Sequence, residues 1–491
     1  MPKRLSLHTL SRLPAAMRPP YDPATLIPGI IHIGCSAFHR AHQAVYTEQA
    51  LVAAKGDWGI IGASLRQAQV RDDLLAQNGL YTVLEKGADK VGVAVIGCMR
   101  DVVFTPEDPT RLPYLIAQPN IRLVSLTVTE QGYCHDPLTG LLDFSHPDIM
   151  HDLEHPTVPI STVGVLAAGL RARRLVNGQP ITILSCDNLP RNGRLLQRLV
   201  TAFTEKTDHE TVRWIADNVT FPCTMVDRIV PATTAATLEE AQKLTGLQDK
   251  APVWTEPFKQ WVIEDNFAAG RPQWEAGGAE FVADVAPYEE MKLRLVSGTQ
   301  SMLAYLAYLA GYEFIYQAMA DQVFATLARR FMAEEAAPAL AMPQGYDPAR
   351  YQAQLLKRFA NRHLPHHCYQ IAMDGSQKLP QRLLATVRVN LEKGGSIQFA
   401  ALGVAAWMRY VGGVDESGLP IGVQDPLAES LRAAAQGEAA AIVDRLLQVK
   451  PVFGDDLPRN AVFRTALIRA LETLQKDGSR RTVAAWTQAG A

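Results

Sequence analysis

The chain has 491 residues, and its 48 Lys and Arg residues against 50 Asp and Glu residues give a formal net charge of −2. Nucleic-acid-binding proteins carry a clear basic excess, so this balance argues against that class and against binding to anionic membranes. With 47% hydrophobic residues, the chain has enough apolar surface to fold, and its length allows two to four domains.

The six cysteines are spread along the chain at positions 35, 98, 134, 186, 223 and 368. No two of them have the C-x-x-C spacing, and no Cys/His pairs have zinc-finger spacing. The beginning of the chain has no signal-peptide pattern, and the longest apolar runs are about half as long as a membrane span. We therefore expect a cytoplasmic protein with reduced thiols, no metal, no membrane contact and no nucleic-acid partner.

Apolar and β-branched runs alternate with helical stretches through the first half of the chain. Residues 1–28 are rich in proline and arginine, which predicts an irregular leader on the surface. A helical stretch is predicted at 38–54, and insertions are expected around 80–120 and 205–285. Strands are predicted at residues 30–33, 58–62, 80–86, 91–98, 123–129 and 181–186. This alternation favours an α/β domain with a mainly parallel sheet.

The pattern changes near Tyr288. Beyond this residue, Ala/Leu-rich stretches predict helices, and strand-like runs are scarce. The predicted helices cover residues 289–309, 314–336, 351–359, 380–392, 397–410, 427–447 and 460–476. We therefore predict an α/β domain over residues 1–285 and a mainly α-helical domain over residues 286–491.

The run at 30–33 ends at Gly34 and is followed by a helix start, an arrangement that can bind the pyrophosphate of a dinucleotide. The usual fingerprint has three glycines. Here Ser36 stands where the second glycine is common, and Phe38 stands near the third position. From the pattern alone, a plain strand-to-helix turn is an equal alternative.

The end of the second strand bears on the choice of dinucleotide. Folds that bind NAD usually place an acidic residue there, to hold the adenosine ribose. This chain has Ser64 and Arg66 instead, and both suit a 2′-phosphate. The choice between NAD and NADP stays open on these residues.

Several motifs occur in a fixed order along the chain. They are FHRAHQ at 38–43, SCDN at 185–188, FPCTMVDRI at 221–229, MKLRL at 291–295 and DGSQK at 374–378. With them the chain resembles the long-chain mannitol dehydrogenase family from about residue 28 to about residue 480. The resemblance implies a metal-independent, NAD(P)-linked oxidoreductase with an N-terminal Rossmann-type domain and a helical C-terminal domain.

The resemblance also implies roles for individual residues. The general acid/base lysine of the family corresponds to Lys292, and a carbonyl-binding asparagine corresponds to Asn188. Asp227 and Lys378 correspond to further site positions. By the resemblance, Gly34, Phe38 and Arg40 would line the dinucleotide, and Thr129 and Glu130, after the third strand, would lie near the nicotinamide ribose. Ser36, Ser64 and Arg66 are further cofactor-binding candidates from the strand pattern described above.

Two positions beside the lysine depart from the family pattern of Lys, four residues, Asn, two residues, His. Ser297 replaces the asparagine and Gln300 replaces the histidine. A glutamine can donate a hydrogen bond but cannot titrate near neutral pH as histidine does. On an ideal α-helix, Lys292, Ser297 and Gln300 would fall at about 0°, 140° and 80° and line one broad face.

The substrate is expected to be a small sugar acid, whose carboxylate would be bound by cations such as Lys378 and Arg382. The resemblance implies interconversion of D-fructuronate and D-mannonate, or of a related sugar acid, with NAD and possibly NADP. One alternative is a polyol dehydrogenase of the same family. Another is an impaired, ligand-binding paralogue, suggested by Ser297 and Gln300. A monomer or a small homo-oligomer is expected.

Overall fold

A computed structural model describes residues 3–87, 90–136 and 139–488 of the chain. Contacts between residues divide the chain into two compact units, one ending at Ala286 and the other beginning at Pro287. Strands and helices alternate in the first unit, whereas the second is helical. The predicted fold class is therefore confirmed. Within the described ranges, every helix is too short or too polar to cross a bilayer.

The strands of the first unit are numbered in chain order. They are β1 (Pro28–Ile33), β2 (Gly59–Ser64), β3 (Tyr81–Lys86), β4 (Val91–Ile96), β5 (Met99–Phe104), β6 (Leu123–Leu126), β7 (Ile181–Ser185), β8 (Val219–Thr220), β9 (Thr224–Asp227), β10 (Val253–Thr255), β11 (Gln260–Glu264) and β12 (Glu280–Val282). The sequence also predicts a turn at residues 87–89, between the strands at 80–86 and 91–98, and residues 88 and 89 lie outside the described residues.

The central sheet has the strand order β5-β2-β1-β6-β7-β8, and every pairing in it is parallel. Counted within this sheet, the order is third, second, first, fourth, fifth and sixth, which is the order of a dinucleotide-binding Rossmann sheet. The buried faces of β1, β6 and β7 consist largely of Ile, Val and Leu, as expected for strands covered by helices on both sides.

Two small sheets flank the central one. In one of them β3 pairs with β4 antiparallel and with β10 parallel, and in the other β11 pairs with β9 antiparallel and with β12 parallel. The helices of the first unit are Ala37–Ala41, Gln43–Ala53, Gln69–Leu75, Arg111–Ile116, Pro147–Glu154, Thr162–Val176, Asn192–Thr207, His209–Asn218 and Ala235–Thr245.

Three sequence predictions need correction in the first unit. The region around 80–120, expected to be an insertion, contains β5, the third strand of the central sheet. The run at 123–129 is therefore the fourth strand, and it ends at Leu126. The leader does not lie only on the surface, because Leu5, Leu10 and Leu13 are buried against Leu80, Val95 and Leu247.

The second unit is built from helices around an extensive apolar core. Its α-helices are Ala286–Met291, Thr299–Leu309, Ile315–Ala320, Gln322–Phe331, Pro348–Phe359, Cys368–Ala372, Gly375–Leu379, Ala385–Lys393, Gln398–Tyr410, Ala428–Ala434, Ala439–Leu447, Lys450–Phe453, Ala461–Asp477 and Ser479–Gln488. The central helix Gln398–Tyr410 is buried on nearly all sides. The stretch predicted as one helix at 427–447 is two helices, separated near Gly437, where φ is +100°.

Three stretches of this unit are π-helical: Lys292–Gly298, Met332–Ala336 and Pro380–Leu384. Each continues directly into or out of an α-helix, so the predicted helices at 289–309, 314–336 and 380–392 contain a change of winding. The π-helix is rare and occurs mostly as single turns, frequently at functional sites. Two of these turns carry residues predicted to bind or convert the substrate.

Candidate active site

Gly34 ends β1 in a conformation that other residues avoid. Its φ is +92°, and a Cβ atom at this position would lie 2.0 Å from the Thr127 carbonyl oxygen at the end of β6. Both observations require glycine here. After it, Ser36 caps the helix Ala37–Ala41, since its Oγ accepts a hydrogen bond from the His39 N–H at 3.3 Å.

The residues at this turn fit a dinucleotide. The central sheet reverses its strand order between β1 and β6, and ligands of such sheets bind at the carboxyl ends of the strands at this switch point. Among the described residues, none accepts a hydrogen bond from the backbone N–H groups of Ala37 and Phe38. These N–H groups can therefore receive an anionic oxygen.

Phe38 and Arg40 lie on the same short helix but differ in surroundings. Phe38 is half-buried, and its ring stacks on His42 with ring centroids 5.0 Å apart. Arg40 is buried, and its guanidinium donates to the Ala251 carbonyl and lies 5.5 Å from the centre of the Tyr81 ring. These contacts of Arg40 fasten the helix to the strands of the neighbouring small sheet.

Three buried histidines lie under the glycine turn. The ring of His32 joins β1 to β6, with Nδ1 2.8 Å from Ser125 Oγ and Nε2 2.8 Å from Thr127 Oγ1. His39 stacks on His32 with centroids 3.5 Å apart, and within the described part of the chain neither of its ring nitrogens has a hydrogen-bond partner. Burial lowers the pKa of His32 and of His42 to about 3, and it holds the pKa of His39 well below its usual value.

Asp187 organises the loop that contains Thr129 and Glu130. Its carboxylate accepts hydrogen bonds from the backbone N–H groups of Val128 (3.1 Å) and Thr129 (2.9 Å) and from the Tyr133 hydroxyl (2.8 Å). Thr129 has a φ of +64°, a strained value for a threonine. The carboxylate therefore stabilises the exposed turn in which Thr129 and Glu130 lie.

The other predicted residues of the first unit lie after strands. Asn188 directly follows Asp187 and is exposed. Asp227 is the last residue of β9, pairs in register with Gln260 and is only 6% exposed. Its neighbour Arg228 is also buried and donates to the carbonyls of Ala41 and Glu256 and to the Glu85 carboxylate, so that it links the Phe38 region to both small sheets.

At the end of β2, the two predicted residues have partners within the unit. Ser64 Oγ donates to the Gln67 carbonyl at 2.6 Å, which closes the turn after the strand. Arg66 is exposed, and its Nη2 lies 3.0 Å from Asp148 Oδ2. Asp148 is 82 residues away along the chain, which is why the sequence shows no acidic residue at this place.

One group among the described residues could present metal ligands, namely Cys134, His146 and Asp148, whose ligand atoms lie within 4.8 Å of one another. Two of the three already have partners. His146 Nδ1 accepts the Asp148 N–H at 3.2 Å, and Asp148 pairs with Arg66. Burial raises the pKa of the Cys134 thiol to about 11, so a metal ion would have to displace its proton in order to bind.

The second unit carries Lys292 at the first position of the π-helical turn Lys292–Gly298. Lys292 is half-buried, Ser297 is 9% exposed and Gln300 is half-buried. In a π-helix the hydrogen bonds run from residue i to residue i+5. The ideal α-helical angles used for these three residues are therefore wrong, and Ser297 lies one turn beyond Lys292 instead of on a distant part of the face.

A second π-helical turn, Pro380–Leu384, packs against the first. Gly298 permits this approach, since a Cβ atom there would lie 3.1 Å from the Arg382 carbonyl oxygen. Arg382 Nη1 donates to Ser301 Oγ at 3.0 Å. One turn earlier, Lys378 Nζ donates to the Met373 carbonyl at 2.6 Å. The π-turn that carries Lys292 and Ser297 therefore packs against the π-turn that carries Arg382.

Sequence reasoning missed three residues of the candidate site regions, one in the first unit and two in the second. Asp187 was not singled out because nothing in its own segment indicates the loop that it holds. Glu289, one turn before Lys292, is 9% exposed. His366 is half-buried, and desolvation together with the charges on His367, Lys378 and Arg382 lowers its pKa to about 4.

Comparison with known proteins identifies both parts of the chain. Residues 28–276 match the mannitol dehydrogenase Rossmann domain, and residues 284–475 match the mannitol dehydrogenase C-terminal domain. The chain is 47% identical to the D-mannonate oxidoreductase of Escherichia coli (strain K12) over 480 residues, which cover 97% of this chain and 99% of the relative.

Solved structures agree with this result. Mannitol 2-dehydrogenase of Pseudomonas fluorescens, in a ternary complex with NAD and D-mannitol, superposes with a TM-score of 0.90 at 38% identity, covering 99% of this chain and 100% of that chain. A D-sorbitol dehydrogenase in its substrate-free form has a TM-score of 0.89 at 31% identity, covering 98% and 100%. The chain therefore belongs to the mannitol dehydrogenase family of oxidoreductases.

Proposed function

We propose that this protein interconverts D-fructuronate and D-mannonate, or a closely related sugar acid, with NAD as the cofactor. The observation that carries the proposal is the pairing of two π-helical turns, one with Lys292 and the other with Arg382. A proton-exchanging amine and a guanidinium suited to a carboxylate thereby lie on adjacent turns. The 47% identity to a D-mannonate oxidoreductase supports the same substrate class.

The first unit would hold the cofactor. The turn at Gly34 and Ser36 receives the pyrophosphate, Phe38 lies beside it, and Thr129 and Glu130 lie on the loop after β6. Arg40 contributes by fixing the helix Ala37–Ala41 to the unit. When bound, NAD exchanges a hydride with the carbon that carries the reacting oxygen.

Lys292 moves the proton. In the direction of reduction, the ketone carbon gains a hydride, and negative charge develops on its oxygen. The Lys292 ammonium gives a proton to that oxygen, which becomes a hydroxyl group. In the direction of oxidation, neutral Lys292 removes the hydroxyl proton while the hydride departs, so protons and electrons balance in both directions.

Hydrogen-bond donors stabilise the charge on the reacting oxygen. In the second unit, Ser297 and Gln300 supply a hydroxyl and an amide where the family pattern has asparagine and histidine. In the first unit, the family resemblance assigns Asn188 the role of an amide donor. Lys378 and Arg382 bind the substrate carboxylate. The buried carboxylate of Asp227 accepts hydrogen bonds from substrate hydroxyls.

The proposal is tested by NADH oxidation with D-fructuronate and with D-fructose, which differ in the carboxylate. We expect turnover with both nucleotide and fructuronate present, and a higher kcat/KM for fructuronate than for fructose. Lys378→Gln should remove this preference, whereas Lys393→Gln, which neutralises an exposed lysine at a helix end, should keep it.

Other outcomes identify the alternatives. A higher kcat/KM for fructose would indicate a polyol dehydrogenase. Stabilisation of the protein by NAD and mannonate in a thermal-shift assay, without turnover of any hexuronate or polyol, would indicate a binding protein. If the protein shows no turnover and no stabilisation by these ligands, the proposed function is refuted.

A further inference from the structure

The end of β2 contains an ion pair between two distant parts of the first unit. Arg66 follows the strand, and Asp148 belongs to the helix Pro147–Glu154; Nη2 and Oδ2 are 3.0 Å apart. In a Rossmann fold the end of the second strand faces the adenosine ribose, where a carboxylate favours NAD and an arginine accommodates the 2′-phosphate of NADP. This chain places both groups at that point.

We infer that Asp148 sets the dinucleotide preference toward NAD by neutralising Arg66 and by supplying the carboxylate that β2 lacks. The inference rests on the proposed function, because it concerns the adenosine end of the same cofactor site. It assigns a specificity-determining residue to a segment that carries none of the motifs shared with the family.

The two partners are not equally fixed. The Arg66 side chain is 76% exposed, whereas the Asp148 side chain is 23% exposed. The helix of Asp148 is anchored by Ile149, which is fully buried in the core. It is anchored also by Asp152, whose carboxylate accepts hydrogen bonds from the N–H groups of Ile160 (2.8 Å) and Ser161 (2.9 Å). The carboxylate therefore keeps its place, and the arginine is the group that can move.

The local backbone adds to this asymmetry. Asp148 lies in the first turn of its helix, where the helix dipole stabilises negative charge, and the His146 ring caps that turn by accepting the Asp148 N–H. Ser64, the other polar residue at the end of β2, uses its hydroxyl to close its own turn. A 2′-phosphate on Arg66 would then lie beside a fixed carboxylate of the same charge.

The pair of Arg66 and Asp148 affects the binding of NAD and of NADP in different ways. NAD presents ribose hydroxyls, which donate to a carboxylate, and only one oxygen of Asp148 is engaged by Arg66 among the described contacts. NADP brings about −2 of additional charge, since a phosphate monoester is largely dianionic near pH 7. Because like charges placed side by side at a binding site weaken binding, the Asp148 carboxylate should lower the affinity for NADP.

The test measures binding of NAD and of NADP to the full chain by isothermal titration calorimetry, without substrate. Wild type should bind NAD more tightly. Asp148→Asn should lower the ratio of the NADP Kd to the NAD Kd by about tenfold or more, because it removes the repelling charge and releases Arg66. This shift should shrink as ionic strength rises.

Two further variants make the result specific. In an Arg66→Gln background, Asp148→Asn should still lower the ratio, because the repelling carboxylate is lost, but by clearly less than in wild type, because the released cation is absent. Asp265→Asn is the matched control. It neutralises the acidic partner of another Arg–Asp pair in the same unit, with Arg271 at 3.2 Å, and should leave the ratio unchanged.

The outcomes that would overturn the inference differ from those that overturn the function. An unchanged ratio in a folded Asp148→Asn variant, or tighter binding of NADP than of NAD by wild type, refutes the role of Asp148 alone. If Asp148→Asn does not fold, Arg66→Gln decides, since it should raise the ratio by weakening NADP. Wild-type protein that binds neither dinucleotide overturns both proposals.

Discussion

The dinucleotide edge of the first unit and the paired π-turns of the second unit are built in different ways. In the first unit, the turn at Gly34 and the loop after β6 depend on residues that set the backbone conformation. Gly34 permits a close approach to the Thr127 carbonyl, and the Asp187 carboxylate accepts hydrogen bonds from the N–H groups of Val128 and Thr129. In the π-turns, the groups proposed to act on the substrate are the ends of side chains, namely Lys292, Ser297 and Gln300. A residue needed for a backbone conformation, such as Gly34, can be recognised from general physical rules. Functional side chains are harder to recognise, because proteins with the same fold carry different ones.

Removing the amine of Lys292 should cause the largest loss of activity, and it tests whether the π-turns of the second unit carry the proton-transfer group. Lys292→Ala should reduce kcat for sugar-acid reduction by about 10³-fold or more, because proton transfer by a positioned group contributes about 10²- to 10⁴-fold. Steady-state NADH oxidation measures this. NAD binding, assigned to the first unit, should be unaffected in calorimetry.

Lys292→Arg is the matched control for charge. Arginine keeps the positive charge but cannot release its proton near neutral pH. Loss of turnover in both variants, with substrate binding retained in Lys292→Arg, is the expected pattern. Full activity of Lys292→Arg would show that the amine contributes only electrostatically.

Restoring the family residues beside Lys292 is the next largest change. The combination of Ser297→Asn and Gln300→His should raise kcat for fructuronate reduction by about tenfold, because asparagine reaches further than serine and histidine, unlike glutamine, can titrate near neutral pH. Initial rates at saturating substrate measure the gain. An unchanged or lower rate would mean that Ser297 and Gln300 serve a different substrate.

The sequence predicted the scaffold better than the site, and particular residues show why. The buried strands β1, β2, β6 and β7 were recognised because their apolar runs are nearly continuous. β5 was missed because it is an edge strand, and its half-exposed face carries Arg100 and Asp101. The family resemblance supplied Lys292, which hydrophobic periodicity does not distinguish from a surface lysine.

The π-helical turns and the contacts between distant residues could not be predicted from the pattern of a single segment. A π-turn shifts a helix by a single residue, so its apolar periodicity stays close to that of an α-helix. Asp187 and Thr129 are 58 residues apart in the chain, and Arg66 and Asp148 are 82 residues apart. Such contacts depend on how β2, β6 and β7 are arranged in the sheet, and no single segment encodes them.

The buried histidines of the first unit provide a smaller effect, on stability. His39→Phe should stabilise the protein relative to wild type by about 2 kcal/mol more at pH 5 than at pH 7.5. The pKa of His39 is lowered in the folded state, so below pH 6.5 the unfolded chain binds a proton that the folded chain does not. Wild type therefore loses this stability as pH falls, whereas phenylalanine binds no proton.

Denaturant unfolding at the two pH values measures the difference. Glu48 in the same unit, whose pKa burial raises to about 7, acts in the opposite direction, because its contribution is lost as pH rises from about 4.5 through 7. Comparing variant with wild type cancels that contribution. His209→Phe, at an exposed position, is the control and should show no such pH dependence.

The smallest expected effect concerns the link between Asp187 and the Thr129 loop. Asp187→Asn replaces a carboxylate that accepts three hydrogen bonds by an amide with one accepting oxygen, so backbone N–H groups lose partners, at about 1–3 kcal/mol. The Kd for NAD should rise about tenfold, with a smaller change in kcat, because the loop is displaced while Lys292 is untouched.

Asp249→Asn is the matched control. Asp249 likewise accepts the backbone N–H groups of Thr82 and Ala251, at 2.6 and 2.8 Å, so this variant should lose stability but keep its affinity for NAD. Equal loss of affinity in both variants would mean that Asp187 supports the fold in general and not the dinucleotide edge.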